Sequence, residues 1–218
     1  MNNCMKLRRV RRITERRKVE VETIKLDVSK VDVLMAIPDD LAGPRGASIP
    51  SDLELFEQAK HFGNALMTQR LKLATAESCT GGWVSKIVTE VPGCSDWFDC
   101  AFVAYSYEAK ESSLGVPRVM LEQFGAVSQE VVTAMVRGAL SRSRANVACS
   151  ITGIAGPSGA VPGKPVGTVW LAWARGHHPP LARRFLFEGD RDAVRRQTVR
   201  AAFIGLMELI AERSANGG

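Results

Sequence analysis

The chain has 218 residues and a mass of 23.7 kDa, with 45% hydrophobic and 24% charged residues. That balance excludes a disordered or collagen-like chain and is enough for one buried core. No apolar run approaches the ~20 residues of a membrane-spanning helix, and no secretory signal segment follows the basic start, so the expected compartment is the cytoplasm. The net charge of +6 is local: residues 1–30 hold ten Lys/Arg and four Asp/Glu, while residues 31–218 hold 19 of each sign.

Residues 8–18 (RRVRRITERRK) are Arg-rich and lack an apolar face. Such a tail can bind nucleic acid; the plainer reading is a solvated arm, or translated sequence upstream of the true start. Residues 19–34 alternate in part and predict a marginal strand. Residues 36–50 carry Pro38, Gly43, Pro44, Gly46 and Pro50 and read as a linker, with Met35 at its head as a plausible start. Residues 1–50 are therefore expected to be a poorly ordered extension, and residues 51–218 the domain.

Ser51 and Glu54 have capping-box spacing, and Leu55, Phe56, Ala59, Phe62, Leu66 and Met67 recur at helical spacing, which predicts a helix to about Arg70. Residues 72–77 predict a strand, followed by the turn Ser78-Cys79-Thr80-Gly81-Gly82 and a helix stopped by Pro92-Gly93. A strand over 98–105, a short helix to Leu114 ended by Gly115, and helices over 118–124 and 128–143 come next. Residues 146–151 predict a buried strand, and 152–167 a long loop with five glycines and three prolines. Strands over 168–174 and 181–187 flank a His-His-Pro-Pro turn and predict a hairpin, and a helix runs from about Arg191 to Arg213. Helices between strands, with a late hairpin, predict an α/β fold, a three-layer α/β/α sandwich on a mixed sheet.

The five cysteines form no CxxC pair, and His61, His177 and His178 lie in neither HxH nor HExxH spacing. No metal and no cofactor is called for, and a Ser-His-Asp triad has no suitable histidine. Any chemistry must work without one.

Four segments can carry it. The turn 78–82 joins a strand to a helix, where unpaired N–H groups can hold an anion, and glycine lets a ligand approach the backbone. Ser78, Cys79 and Thr80 offer three nucleophiles there; the plain alternative is a capped helix with a Gly-Gly turn. Lys110 follows the strand ending at Tyr105. A desolvated lysine can serve a serine as base, whereas a solvated lysine does nothing. Thr152 and Gly153 open the long loop beyond a strand's carboxyl end, where ligands of α/β sheets gather. Arg191 and Arg195 stand i, i+4 in a first helical turn, against the helix dipole. An anion explains that placement, and so do ion pairs with Asp190 and Asp192.

The motifs AESCTGGWVSKIVTEVPG (76–93), VAYSYEAKESSLGV (103–116), FGAVSQEVV (124–132), SITGIAGPSG (150–159), KPVGTVW (164–170) and GDRDAVRRQ (189–197) occur in this order. Residues 74–175 resemble the C-terminal domain of the CinA (competence/damage-inducible) family, and with the preceding helix the likeness runs over about 51–213. The family's larger N-terminal domain, which resembles molybdopterin-binding proteins, does not fit into 50 residues. Its pyrophosphatase activity is therefore expected to be absent, and the basic extension departs from the family's single-domain form.

The resemblance implies hydrolysis of nicotinamide mononucleotide to nicotinate mononucleotide and ammonia. It implies Ser78 as nucleophile, Lys110 as base, and Tyr105 and Thr152 in the site. Backbone N–H groups near Thr80, Gly81 and Gly82 are expected to hold the oxyanion, Tyr105 is a candidate proton relay, and Arg191 or Arg195 is expected on the phosphate. Cys79 is intrinsically the better nucleophile, and only the resemblance sets it aside. The expected partners are the small-molecule substrate and a second copy of the chain, a dimer being favoured, with no membrane and nucleic acid only through the tail. Two rival classes remain. A non-catalytic nucleotide-binding module would bind the mononucleotide and release no ammonia. A nucleic-acid binder would lose its affinity with salt and on deletion of residues 1–34.

Overall fold

The structure, a computed structural model, describes residues 48–211. The expected strand over 19–34, most of the linker and the expected end of the last helix lie outside the described residues.

Helix α1 (Asp52–Gln69) opens on the expected capping box: the Ser51 hydroxyl accepts from the Glu54 N–H, and the Glu54 carboxylate accepts from the Ser51 N–H at 2.7 Å. Strand β1 (Leu73–Glu77) is buried throughout, and α2 (Trp83–Thr89) follows the glycine turn. A short 3-10 turn (Cys94–Asp96) leads into β2 (Phe98–Val103). Helix α3 (Tyr107–Leu114) is capped by Ser106 and ended by Gly115 in the left-handed region. Helices α4 (Arg118–Phe124) and α5 (Gln129–Ser141, capped by Ser128) lead to β3 (Val147–Gly153). The hairpin β4 (Thr168–Arg175) and β5 (Leu181–Leu186) precedes α6 (Arg191–Ala211). No described helix is long and apolar enough to cross a membrane.

The five strands form one sheet in the order β2-β1-β3-β4-β5; β2, β1 and β3 run parallel, while β3–β4 and β4–β5 are antiparallel. The three-layer sandwich on a mixed sheet follows from the alternation of side chains along the strands. Leu73, Cys149, Ile151, Leu171 and Trp173 face the layer of α1, α2 and α6, where Phe62, Leu66, Ile87 and Phe203 cover them. Ala74, Ala76, Ala148, Ala172 and Ala174 face the other layer, under Leu114, Leu121, Val131 and Met135 of α3–α5. One face is large and the other small, so the two helix layers are not interchangeable. Close approach continues between helices: a Cβ on Gly138 of α5 would fall on the Leu114 carbonyl of α3.

Strand β3 runs two residues further than expected, because Thr152 and Gly153 pair with Trp170 and Val169 of β4. The chain leaves β1 toward β2 and returns past it to β3, which opens a crevice at the carboxyl ends of β1 and β3. The ladder extends past the carboxyl end of β1 on both of its sides: the Ser78 N–H donates to the Ile151 carbonyl at 3.0 Å and the Ala104 N–H to the Glu77 carbonyl at 2.9 Å.

Candidate active site

Ser78 stands one residue beyond β1 and is 8% exposed. Lys110 lies on α3, fully buried, and its Nζ is 3.0 Å from Ser78 Oγ, 2.8 Å from the Ala104 carbonyl oxygen and 3.2 Å from that of Tyr105. Among the described residues it forms no salt bridge. Burial without a carboxylate partner lowers its pKa from 10.5 to about 8. A neutral amine has two N–H bonds and one lone pair. Two carbonyl oxygens can only accept, so they take the N–H bonds, and the lone pair is left facing the Ser78 hydroxyl. As an ammonium the same group donates to all three oxygens; once neutral, its lone pair can accept from the Ser78 hydroxyl.

Cys79 has the opposite setting. It is buried, and desolvation pushes its thiol up to about 12, so it stays protonated at neutral pH. Its neighbour Ser78 touches the Lys110 amine, while the better intrinsic nucleophile is held as a buried thiol.

The turn differs from expectation in its donors. Gly81 and Gly82 have φ of 63° and 93°, a region only glycine enters without strain. The Gly81 N–H is spent on the Ser78 carbonyl at 3.0 Å, so it cannot hold an oxyanion in this geometry. The Val84 and Ser85 N–H groups at the start of α2 are spent on the Glu77 carboxylate, at 3.1 and 2.9 Å. Among the described residues, the N–H groups of Cys79, Thr80 and Gly82 donate to no other residue's backbone, and the Cys79 N–H faces its own thiol. Thr80 itself is fixed by its hydroxyl on Glu77 (2.7 Å) and its carbonyl on Arg195 (2.8 Å).

Tyr105 does not bridge Lys110 and Ser78, which touch directly. Its ring is exposed, and its hydroxyl accepts from Arg191 at 3.2 Å while its main-chain carbonyl accepts from Lys110. The expected relay through the phenol is therefore not formed. Thr152 is buried beside the turn, and its hydroxyl donates to the Ala126 carbonyl at 2.8 Å, tying the α4–α5 connection to the sheet. At Gly153 a Cβ would meet Val169 Cγ2 at 2.7 Å, so glycine serves strand packing there.

The two arginines part company. Arg191 donates to the Gly156 carbonyl at 2.8 Å and to Tyr105, which joins α6, the β3–β4 loop and the end of β2 across the crevice. Arg195 holds the Thr80 carbonyl and lies 4.7 Å from the Trp83 ring centre. The ion pairs weighed as an alternative are not made: Asp192 pairs with Arg196, and Asp190 accepts from the Ala193 N–H. A cavity of about 290 Å³ beside the turn is lined by Gly82, Trp83, Lys86, Asp192 and Arg195, among others. Among the described residues no three His, Cys, Asp or Glu side chains gather as a metal site.

Sequence reasoning missed Glu77, which is fully buried and holds the turn from below. Its signal was a lone carboxylate closing an otherwise buried strand. It also missed the Ala104 carbonyl, a main-chain group that leaves no trace in residue identity.

Fold and crevice define the class first: an α/β/α sandwich with a hydroxyl–amine pair at the carboxyl ends of its parallel strands. The chain belongs to the CinA C-terminal domain family, whose model matches residues 56–210. It is 53% identical over 154 residues to the nicotinamide-nucleotide amidohydrolase PncC of Pseudomonas putida, covering 71% of this chain and 96% of that one. It is 51% identical over 147 residues to PncC of Escherichia coli K12, covering 67% of this chain and 89% of that one. The crystal structure of a competence/damage-inducible protein from Agrobacterium tumefaciens superposes with a TM-score of 0.70 at 40% identity, over 75% of this chain and 98% of that one.

Proposed function

We propose that the chain hydrolyses the carboxamide of nicotinamide mononucleotide, giving nicotinate mononucleotide and ammonia, with Ser78 as nucleophile and Lys110 as general base. The observation that carries the mechanism is the 3.0 Å contact between Ser78 Oγ and a buried lysine with two main-chain carbonyls on its other positions. The substrate rests on the names of the relatives.

Neutral Lys110 takes the Ser78 proton as Oγ attacks the carboxamide carbon. The oxygen that becomes negative lies toward the unspent N–H groups of Cys79, Thr80 and Gly82. Lys110 returns the proton to the amide nitrogen, ammonia leaves, and an ester to Ser78 remains. Water, deprotonated by the same amine, attacks this ester and frees the acid and the Ser78 hydroxyl. The phosphate of the substrate falls to Arg195 in the cavity beside the turn, whose lining also carries Lys86, paired with Glu90, and Asp192, paired with Arg196. Arg191 instead acts at the mouth, through Tyr105 and Gly156.

The test is ammonia release from nicotinamide mononucleotide by the purified chain. Ser78→Ala is expected to abolish it and Cys79→Ala to retain most of it. A wild-type chain that binds the mononucleotide and releases no ammonia defeats the proposal in favour of a non-catalytic module. Loss confined to the cysteine variant reverses the nucleophile.

A further inference from the structure

We propose that Glu77 is a positioning residue for Ser78: its buried carboxylate staples the turn 78–82 and keeps the Cys79 and Thr80 N–H groups free for the reacting oxygen. The inference rests on Ser78 being the nucleophile.

Glu77 is fully buried at the last position of β1, and among the described residues no cation pairs with it. Donors surround it instead. One oxygen accepts from Thr80 Oγ1 (2.7 Å) and the Val84 N–H (3.1 Å), and the other from the Ser85 N–H and Ser85 Oγ (both 2.9 Å), with Thr75 Oγ1 further off at 3.4 Å. Two of these partners are backbone N–H groups, one on each oxygen, and an N–H cannot reverse its role. An uncompensated buried carboxylate is expensive, so this site exists because the donor set meets it.

The geometry makes the carboxylate a clamp between a rigid part and a pliable one. The Glu77 main chain is locked in the sheet by its carbonyl on Ala104, and Ser78 by its N–H on Ile151. The turn beyond holds two consecutive left-handed glycines, which can swing over a wide range when unrestrained. Glu77 closes that segment into a loop by holding Thr80 in its middle and Val84 and Ser85 at its end. By taking the first donors of α2, it also leaves the N–H groups next to Ser78 as the unspent ones. A displacement of about 1 Å in such a site lowers a rate by about 10²-fold.

Glu77→Gln keeps the size and sets an amide N–H₂ against one of the two backbone donors. The expected result is a folded protein with kcat lower by about 30- to 100-fold, KM within about threefold, and an unchanged ionisation in the pH–kcat profile. A second readout needs no substrate: the rate at which phenylmethanesulfonyl fluoride labels Ser78. There Oγ forms a bond to sulfur as the S–F bond breaks, fluoride leaves and the serine proton passes to Lys110. That rate should fall in parallel with kcat. If Glu77→Gln does not fold, Ser85→Ala decides. It removes one donor while alanine keeps the helix, and labelling is expected to slow by about fivefold. A folded Glu77→Gln with kcat and labelling within twofold of wild type overturns the proposal, as does unchanged labelling in Ser85→Ala. A shifted ionisation also overturns it, because the carboxylate would then act as a charge on Lys110. A wild-type chain that labels at Ser78 but releases no ammonia defeats the amidase reading alone, and the labelling rates still decide Glu77.

Discussion

At the scale of single residues, the proposed chemistry depends on how cheaply Lys110 gives up its proton. Burial brings its pKa down to about 8, so kcat/KM should rise with pH through one ionisation near that value and level off above it. Lys110→Arg cannot accept a proton, and kcat is expected to fall by about 10³-fold or more while KM stays close to that of wild type. Lys110→Met should lose a similar factor. Steady-state kinetics of the pair against pH is the measurement; near-normal kcat in the arginine variant would mean that position 110 needs only a positive charge. A buried, protonated Cys79 stands beside a lysine-bonded Ser78, so the proposal gives adjacent residues opposite reactivity. Residue type ranks them one way and environment the other.

At the scale of elements, α6 links the core to the crevice. Its first turn carries Arg191 and Arg195, while further along Gly205 lies flat against Trp173 of β4. Trp173 is buried and its indole N–H donates to the Ala202 carbonyl at 3.0 Å, so the ring cannot step aside. A methyl on Gly205 would fall inside the ring. Gly205→Ala should therefore destabilise the domain by about 2–3 kcal/mol through overpacking. Urea denaturation should show a lower midpoint at an unchanged slope, and a loss below about 1 kcal/mol would mean that α6 shifts freely. Glycine at this position is a packing requirement, and so is Gly138 under α3.

At the scale of the whole molecule, the lysine that equips the site weakens the fold. The unfolded chain holds the Lys110 proton up to about pH 10.5 and the folded chain only to about 8. Below pH 8 both states are protonated and the desolvation penalty is complete. Between 8 and 10.5 the unfolded state binds more protons, so stability rises with pH in that window. Lys110→Met removes this titration. The difference in unfolding free energy, wild type minus Lys110→Met, should grow by about 2 kcal/mol between pH 7 and 9.5. Chemical denaturation of both proteins at the two pH values measures it, and a flat difference would mean that Lys110 is as well solvated folded as unfolded.

The sequence by itself determined the elements, because their causes are local. The Ser51–Glu54 box, the Ser106 and Ser128 caps and Gly115 act within one helical turn, and each ends or begins a helix where its chemistry says. The apolar run at β3 and the helices between strands pointed to a sheet covered on both faces, as the packing on each side bears out: Leu73 and Ile151 face one layer, Ala74 and Ala148 the other. Position at the carboxyl ends of strands was legible too, so Ser78 and Thr152 stood out as candidates, and Lys110, on the helix that follows a strand, stood out because no histidine was suitably placed. Tertiary structure alone decided what those residues touch. Ser78 and Lys110 are separated by 32 positions, and the carbonyls of Ala104 and Tyr105 that orient the amine are main-chain groups common to every residue. Only the folded turn spends the Gly81 N–H on Ser78, buries the Cys79 thiol, gives Asp192 to Arg196 and seats Glu77 among donors. Propensities and caps act over a few residues, whereas burial and hydrogen-bond satisfaction are sums over distant segments that exist only once the layers have packed.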